Sequence, residues 1–305
     1  MIKVFGHKSP DTDTTCSAIL WAWYLSNHTA TPATPFVLGE LNKETSFVLN
    51  HWKVAQPGLL ELGKGDEVVI VDTNNPQELP ENINDAQIIA IIDHHKLVGG
   101  LKTDNPPTVT MRPLACTATL LHDLMGDAAE KLPKEMAGIM LSCILSDTLE
   151  FRSPTTTAHD KAVAEKLAKN LGIKISEYAQ AMFAAKSDVS DYTDVGLIHL
   201  DSKQFEVGGK NIRVSVVETA APAQVLERKE GIVKAIKELV AQEKDTDDVI
   251  FFVVDILKEQ ATVFAYSDLT KQLVEKSFET NVEDGVAVLP GVVSRKKQIL
   301  PALKI

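Results

Sequence analysis

Three side chains able to hold a divalent cation arrive almost at once in this 305-residue chain. The stretch "GHKSPDTD" at 6–13 carries His7, Asp11 and Asp13 directly after a short apolar run. Imidazole and carboxylate are common ligands of divalent metals. Further groups of the same kind follow. Asp72 ends "VVIVD", Asp93, His94 and His95 close "IIAIIDHH", and Asp147 ends the apolar "GIMLSCILSD". Each has an ordinary reading when taken alone. Asp11 or Asp13 could cap a helix, Asp72 could open a turn before "TNNP", Asp147 could be a helix-end group, and the histidine pair could lie on the surface. Taken together they need positive charge, because carboxylates gathered out of water repel one another or take up protons. Asp147 adds to the case, since a carboxylate in the last turn of a helix faces the negative end of the helix dipole.

The elements that would position these groups are readable from the apolar runs. "IKVF" at 2–5, "EVVIVD" at 67–72, "IIAIID" at 88–93 and "TVTM" at 108–111 are short, rich in β-branched residues and separated by helix-like segments that include 14–26, after a threonine cap, and 43–51. Continuous apolar strands alternating with helices predict a parallel sheet covered on both faces. Ligands bind at the carboxyl edge of such sheets, so His7, Asp72 and the 93–95 group are expected at one place. From about 115 the pattern is helical; "PKEMAGIMLSCILSD" opens on a proline, and "SPTTTAHDKAVAEKLAKNLG" ends on a C-capping glycine. The polar "KSDVSDYTD" at 186–194 interrupts the periodicity. It predicts a first domain over 1–187, a hinge linker over 188–194 and a smaller α/β domain over 195–305. The second domain carries strands at "FEVGG", "IRVSVVET", "VIFFVVDI" and "ATVFAYS", an amphipathic helix over roughly 222–243, and the basic "SRKKQ" at 294–298.

Composition narrows the function. A formal charge of −11 argues against a protein that coats nucleic acid. An anionic substrate would need a local basic site. No stretch reads as a membrane span or a targeting segment, since "AILWAWYL" at 18–25 is far shorter than the ~20 residues a bilayer requires. Cys16, Cys116 and Cys143 are widely spaced and odd in number, which predicts reduced, buried thiols and a cytoplasmic protein.

The ordered motifs "GHKSPDTD", "VDTNN" at 71–75, "DHHK" at 93–96 and "SDT" at 146–148 resemble the four successive motifs of the DHH phosphoesterase superfamily. The C-terminal "SRKKQ" is similar to the basic motif of one branch, the family II manganese-dependent inorganic pyrophosphatases. The resemblance implies two metal ions. His7, Asp11 and Asp72 would hold one, while Asp13, Asp72, His94 and Asp147 would hold the other, with Asp72 bridging. It also implies that Asp93 orients a motif histidine and that His95 meets a phosphate oxygen. Lys203, Arg295 and Lys296 would bind pyrophosphate in the cleft between the domains. The expected reaction is hydrolysis by a hydroxide bridging the two ions. Nitrogen among the ligands favours Mn2+, with Co2+ able to substitute, and Mg2+ would enter with the substrate.

Relatives that cleave short oligonucleotides share the first four motifs but carry a "GGGH" type sequence, where this chain has only "VGGKN" at 207–211. A binding protein without activity would be expected to have lost a ligand, and no motif position is substituted. About fifty residues separate "DHHK" from "SDT", too few for the inserted nucleotide-binding region of some family members. No adenine-nucleotide regulation is therefore expected. The resemblance further implies a homodimer formed through the first domain, with no nucleic acid or membrane partner.

Overall fold

The computed structural model describes residues 1–243 and 245–304. The chain divides into two compact units, Met1–Lys186 and Ser187–Ile305. In the first, β1 (Ile2–Phe5), β2 (Ala33–Val37), β3 (Gly58–Leu59), β4 (Glu67–Val71), β5 (Gln87–Asp93) and β6 (Thr108–Met111) form a sheet in the order β3-β2-β1-β4-β5-β6, every pair parallel. The three strands that deliver sequence-marked side chains, β1, β4 and β5, are therefore neighbours. β4 is buried from Val68 to Val71, as a strand covered on both faces must be.

Around the sheet lie α1 (Thr12–His28), α2 (Lys43–Trp52), α3 (Thr117–Met125), α4 (Lys134–Asp147), α5 (Ala158–Leu171) and α6 (Ile175–Lys186). Helix α1 packs on β1, β2 and β4, α3 packs on β5, and α4 lies against α1. The other face carries Phe5, Val68, Ile70 and Ile88, closed over by Leu79, which follows one single-turn 3-10 segment, and Ile83, which opens another. Helix α1 starts earlier than the threonine-capped segment 14–26. Its N-cap is Asp11, whose Oδ1 accepts from the Thr14 amide at 2.9 Å, so Asp13 lies inside the first turn. Helix α4 is buried without interruption from Met136 to Ser146, and Pro133 sits at its N-cap rather than inside the first turn. That enclosure leaves the terminal Asp147 half-buried at the end of the helix.

The second unit begins with α7 (Asp194–Leu200) and a five-stranded sheet. Its strands are β7 (Ser202–Val207), β8 (Lys210–Thr219), β9 (Asp248–Asp255), β10 (Gln260–Phe264) and β11 (Val286–Pro290), in the order β11-β10-β9-β8-β7. Only β8 and β9 run parallel. The expected helix over 222–243 is two helices, α8 (Ala223–Leu226) and α9 (Lys229–Gln242). Arg228, at the break, donates to the carbonyls of Val189 and Tyr192 and to Asp194. The segment expected to act as a hinge linker is thereby fastened to the second unit. Helix α9 covers one face of this sheet, and α10 (Asp268–Phe278), with Ile299 from the C-terminal turn, covers the other. The short α11 (Leu300–Ala302) is the last helix. Among the described residues no helix is long and apolar enough to cross a membrane.

Candidate metal centre

The ends of β1, β4 and β5 converge as the strand pattern requires. Gly6 follows β1 and lets the backbone pass close to β4, because a Cβ there would lie 2.7 Å from the Val71 carbonyl oxygen. His7 comes next. Asp72 leaves β4 in the left-handed region, with φ 60°, a conformation aspartate tolerates better than most residues. That turn drives its carboxylate back into the protein, where it is 2% exposed.

One oxygen of Asp72, Oδ2, lies 3.5 Å from His7 Nε2, and the other, Oδ1, lies 3.4 Å from His94 Nε2. His7 Nε2 is also 3.6 Å from Asp11 Oδ2. These separations are wider than hydrogen bonds and close to the spacing of two ligands each about 2.1 Å from one divalent ion. Ligand atoms of His7, Asp11 and Asp72 all fall within 4.8 Å of one another, and those of Asp13, His94 and Asp147 do so as well. Asp72, His94 and His95 make a third such group, but His95 Nδ1 is engaged by Asp93 Oδ1 at 2.9 Å. His94 Nδ1 is 3.0 Å from the Leu114 carbonyl, which leaves Nε2 to face the carboxylates. A ring nitrogen satisfied by a carbonyl with its partner turned inward is the usual arrangement of a metal-binding histidine.

Several supports of these carboxylates had not been singled out from the sequence. Asp72 accepts from the hydroxyls of Thr14, at 2.5 Å, and Thr117, at 2.9 Å. Asp13 accepts from Ser17 Oγ and from the amides of Thr117 and Ala118, which open α3. Asn74 donates to Asp93 and to the Lys96 carbonyl while accepting from the Val98 amide, so one side chain clamps the whole 93–98 loop. The signal for Asn74 was its place in "VDTNN"; Thr117, more than 40 residues downstream of Asp72, left none.

Charge in the cluster is unbalanced without a cation. Burial disfavours a charged His7, yet the carboxylates of Asp11 and Asp72 overcome it and raise its pKa to about 10. Burial likewise opposes His94, while Asp72 and Asp13 raise it to about 9. For Asp72 burial pushes upward, but the facing imidazoles of His7 and His94 hold it well below the usual carboxylate range. Burial and the facing Asp72 raise Asp13 to about 6. Desolvation and the facing Asp13 and Asp72 push half-buried Asp147 well above the ordinary value. Protons thus sit where positive charge is wanted. A donor set of buried carboxylates and inward-turned imidazoles fits divalent cations that would displace those protons.

Beside His7 and His95 opens a hollow of about 520 Å³, bordered by Lys8, Ser9, Asn75 and Lys96. The His95 side chain is 52% exposed. The basic residues expected at the substrate belong to the second unit. Lys203 and Lys296 are exposed, whereas Arg295 is only 9% exposed and lies 2.8 Å from Asp201. Arg295 opens a π-helical turn, Arg295–Ile299, capped by Ser294. Gln298 closes the loop before it, accepting from the amides of Val293 and Ser294 and donating to the Gly291 carbonyl.

Residues 1–144 match the N-terminal domain of the DHH family, and residues 180–305 match the DHHA2 domain. The manganese-dependent inorganic pyrophosphatase of Bacillus subtilis is 38% identical over 304 residues, 99% of this chain and 97% of the relative. That of Methanocaldococcus jannaschii is 37% identical over 313 residues, covering 100% of this chain and 98% of the relative. Among solved structures, a candidate family II inorganic pyrophosphatase from Methanococcus jannaschii superposes with a TM-score of 0.60 at 37% identity, covering 99% of this chain and 98% of its own.

Proposed function

The chain belongs to the family of manganese-dependent inorganic pyrophosphatases, and from that premise we propose that it hydrolyses pyrophosphate to two orthophosphates at a centre holding two manganese ions. His7, Asp11 and Asp72 would hold one ion, and Asp13, Asp72, His94 and Asp147 the other. The observation that carries this reading is Asp72, a buried carboxylate whose two oxygens face two different histidines. Such ions, when bound, bring the pKa of a water toward neutrality and neutralise phosphoryl charge.

The chain's own groups do the rest. Thr14 and Thr117 hold both oxygens of Asp72 in place, so that its geometry is set before any ligand arrives. The Asp93 carboxylate at His95 Nδ1 raises the pKa of that imidazole, favouring the form that also carries a proton on Nε2. That proton is offered to a phosphate oxygen. Lys203, Arg295 and Lys296 would supply further cationic donors to pyrophosphate, arginine through its planar fork. Cobalt would substitute for manganese because the shell mixes nitrogen and oxygen, and magnesium would accompany the substrate. A homodimer formed through the first unit and a cytoplasmic location complete the proposal.

The test is phosphate release by chelator-stripped protein after manganese or magnesium alone is restored, with a short oligonucleotide as competing substrate. Manganese-restored turnover of pyrophosphate with the oligonucleotide intact supports the reading. Cleavage of the oligonucleotide instead would move the protein to the phosphodiesterases that share the DHH motifs.

A further inference from the structure

Burying an arginine demands a partner for its charge, and in the second unit that partner for Arg295 is Asp201. Nη1 lies 2.8 Å from Asp201 Oδ1, with the arginine side chain 10% exposed and the aspartate side chain 52% exposed. The contact is close but not aligned: the Nη1 hydrogens point at no acceptor, so it is an ion pair rather than a directed hydrogen bond. No other partner of the guanidinium occurs among the described residues. One carboxylate oxygen therefore engages one corner of a group with five N–H donors.

Both ends of the pair are built rigidly. Asp201 is the C-cap that follows α7, and its carbonyl accepts from the Val216 amide at 2.9 Å, which fixes its backbone to β8. Arg295 stands on the turn capped by Ser294 and tied back by Gln298. Lys203 lies two residues beyond Asp201 on β7, so the alternation of an extended chain puts the two on the same side. Here the carboxylate is half in solvent, the cation is deep, and donors remain unused.

We propose that Asp201 is a positioning residue for pyrophosphate hydrolysis: it orients the Arg295 guanidinium so that the remaining N–H groups are held ready for phosphate oxygens near Lys203. This rests on Arg295 contacting the substrate. Pre-orientation spares the ordering of a long side chain when the substrate binds, so its loss is read mainly in KM.

The experiment is a double-mutant cycle on the manganese-loaded enzyme with Asp201→Ala, Asp201→Asn, Arg295→Ala and the Asp201→Ala/Arg295→Ala pair. Asp201→Ala is expected to raise KM for pyrophosphate about tenfold, the scale of one well-placed charge-assisted contact, with a smaller change in kcat. Asp201→Asn, which keeps an oxygen in the same position, should fall between it and the parent. In the Arg295→Ala background the Asp201 change should add nothing. Full additivity, or an unchanged KM in both Asp201 variants while Arg295→Ala is impaired, overturns the proposal. An Arg295→Ala enzyme with normal KM and kcat instead removes the premise that Arg295 touches substrate, and the proposal with it. Asp201→Asn keeps the cycle decisive if the alanine variant does not fold.

Discussion

Gly6→Ala puts the least chemistry and the most steric consequence into the metal centre. The residue lies outside the left-handed region, so an added methyl costs nothing in backbone strain and acts only through space. It would meet the Val71 carbonyl oxygen at 2.7 Å and Thr14 Cγ2 at 2.7 Å, closer than the 3.0 Å that real Cβ contacts respect. Both intrusions fall on the supports of one carboxylate. Val71 immediately precedes Asp72, and the Thr14 hydroxyl donates to Asp72 at 2.5 Å. Strand ends β1 and β4 must part by roughly half an ångström, an overpacking that costs about 1–3 kcal/mol. The same movement separates His7 from Asp72. Manganese affinity should fall about 10- to 100-fold, the usual consequence of disturbing the groups that hold metal ligands. Calorimetric titration of the stripped protein with manganese, alongside its thermal midpoint, reads both effects. Parental affinity with an unchanged midpoint would refute the claim that the close passage of β1 and β4 builds the site.

Thr117→Val removes the 2.9 Å donor to Asp72 while leaving the Thr117 amide on Asp13. Loss of a hydrogen bond to a charged group, about 1.5–3 kcal/mol, should weaken manganese binding by at least about tenfold without unfolding the chain, and a metal titration checks it. Asn74→Ala releases the 93–98 loop, so kcat/KM for pyrophosphate should drop by about tenfold while metal content measured by elemental analysis stays at the parental level. A pH effect follows from the histidines. Their folded pKa values, about 10 for His7 and about 9 for His94, lie above the ordinary 6.5, so their stabilisation of the metal-free protein is complete below that value and lost as pH rises through 9 to 10. Asp13, raised to about 6, acts in the same direction, since its native form resists ionisation. The thermal midpoint of stripped protein should decline from about pH 6 to 10 relative to the manganese-loaded form, because bound metal replaces the protons. Parallel melting profiles for the two forms would contradict this.

How far the residues alone led depends on whether a feature is local. The strand ends at His7, Asp72 and Asp93 were readable because continuous apolar runs stop there, and the neighbouring order of β1, β4 and β5 then brings them together. Asp147 was readable because α4 is apolar on every side, which only a buried helix can be. What stayed hidden was set by tertiary contact. Strand β2, "ATPFV", contains Pro35 and gives no clear strand pattern, although it pairs with β1. Thr117 reaches Asp72, and its amide reaches Asp13, only because α3 starts at the sheet edge. The break between α8 and α9 was masked by a periodicity running through it, and the Arg228 side chain at that break reaches the 189–194 segment. Arg295 and Lys296 were found as a basic run, but charge alone does not reveal that one is buried against Asp201 and the other exposed.

Two ions sharing Asp72 are the core of the proposed centre. Stripped protein reloaded with two equivalents of manganese per chain should give an electron paramagnetic resonance spectrum of an exchange-coupled pair, and Asp72→Asn should abolish that coupling together with activity. Two isolated six-line manganese signals in the parent protein, or a coupled pair that survives in Asp72→Asn, would contradict it.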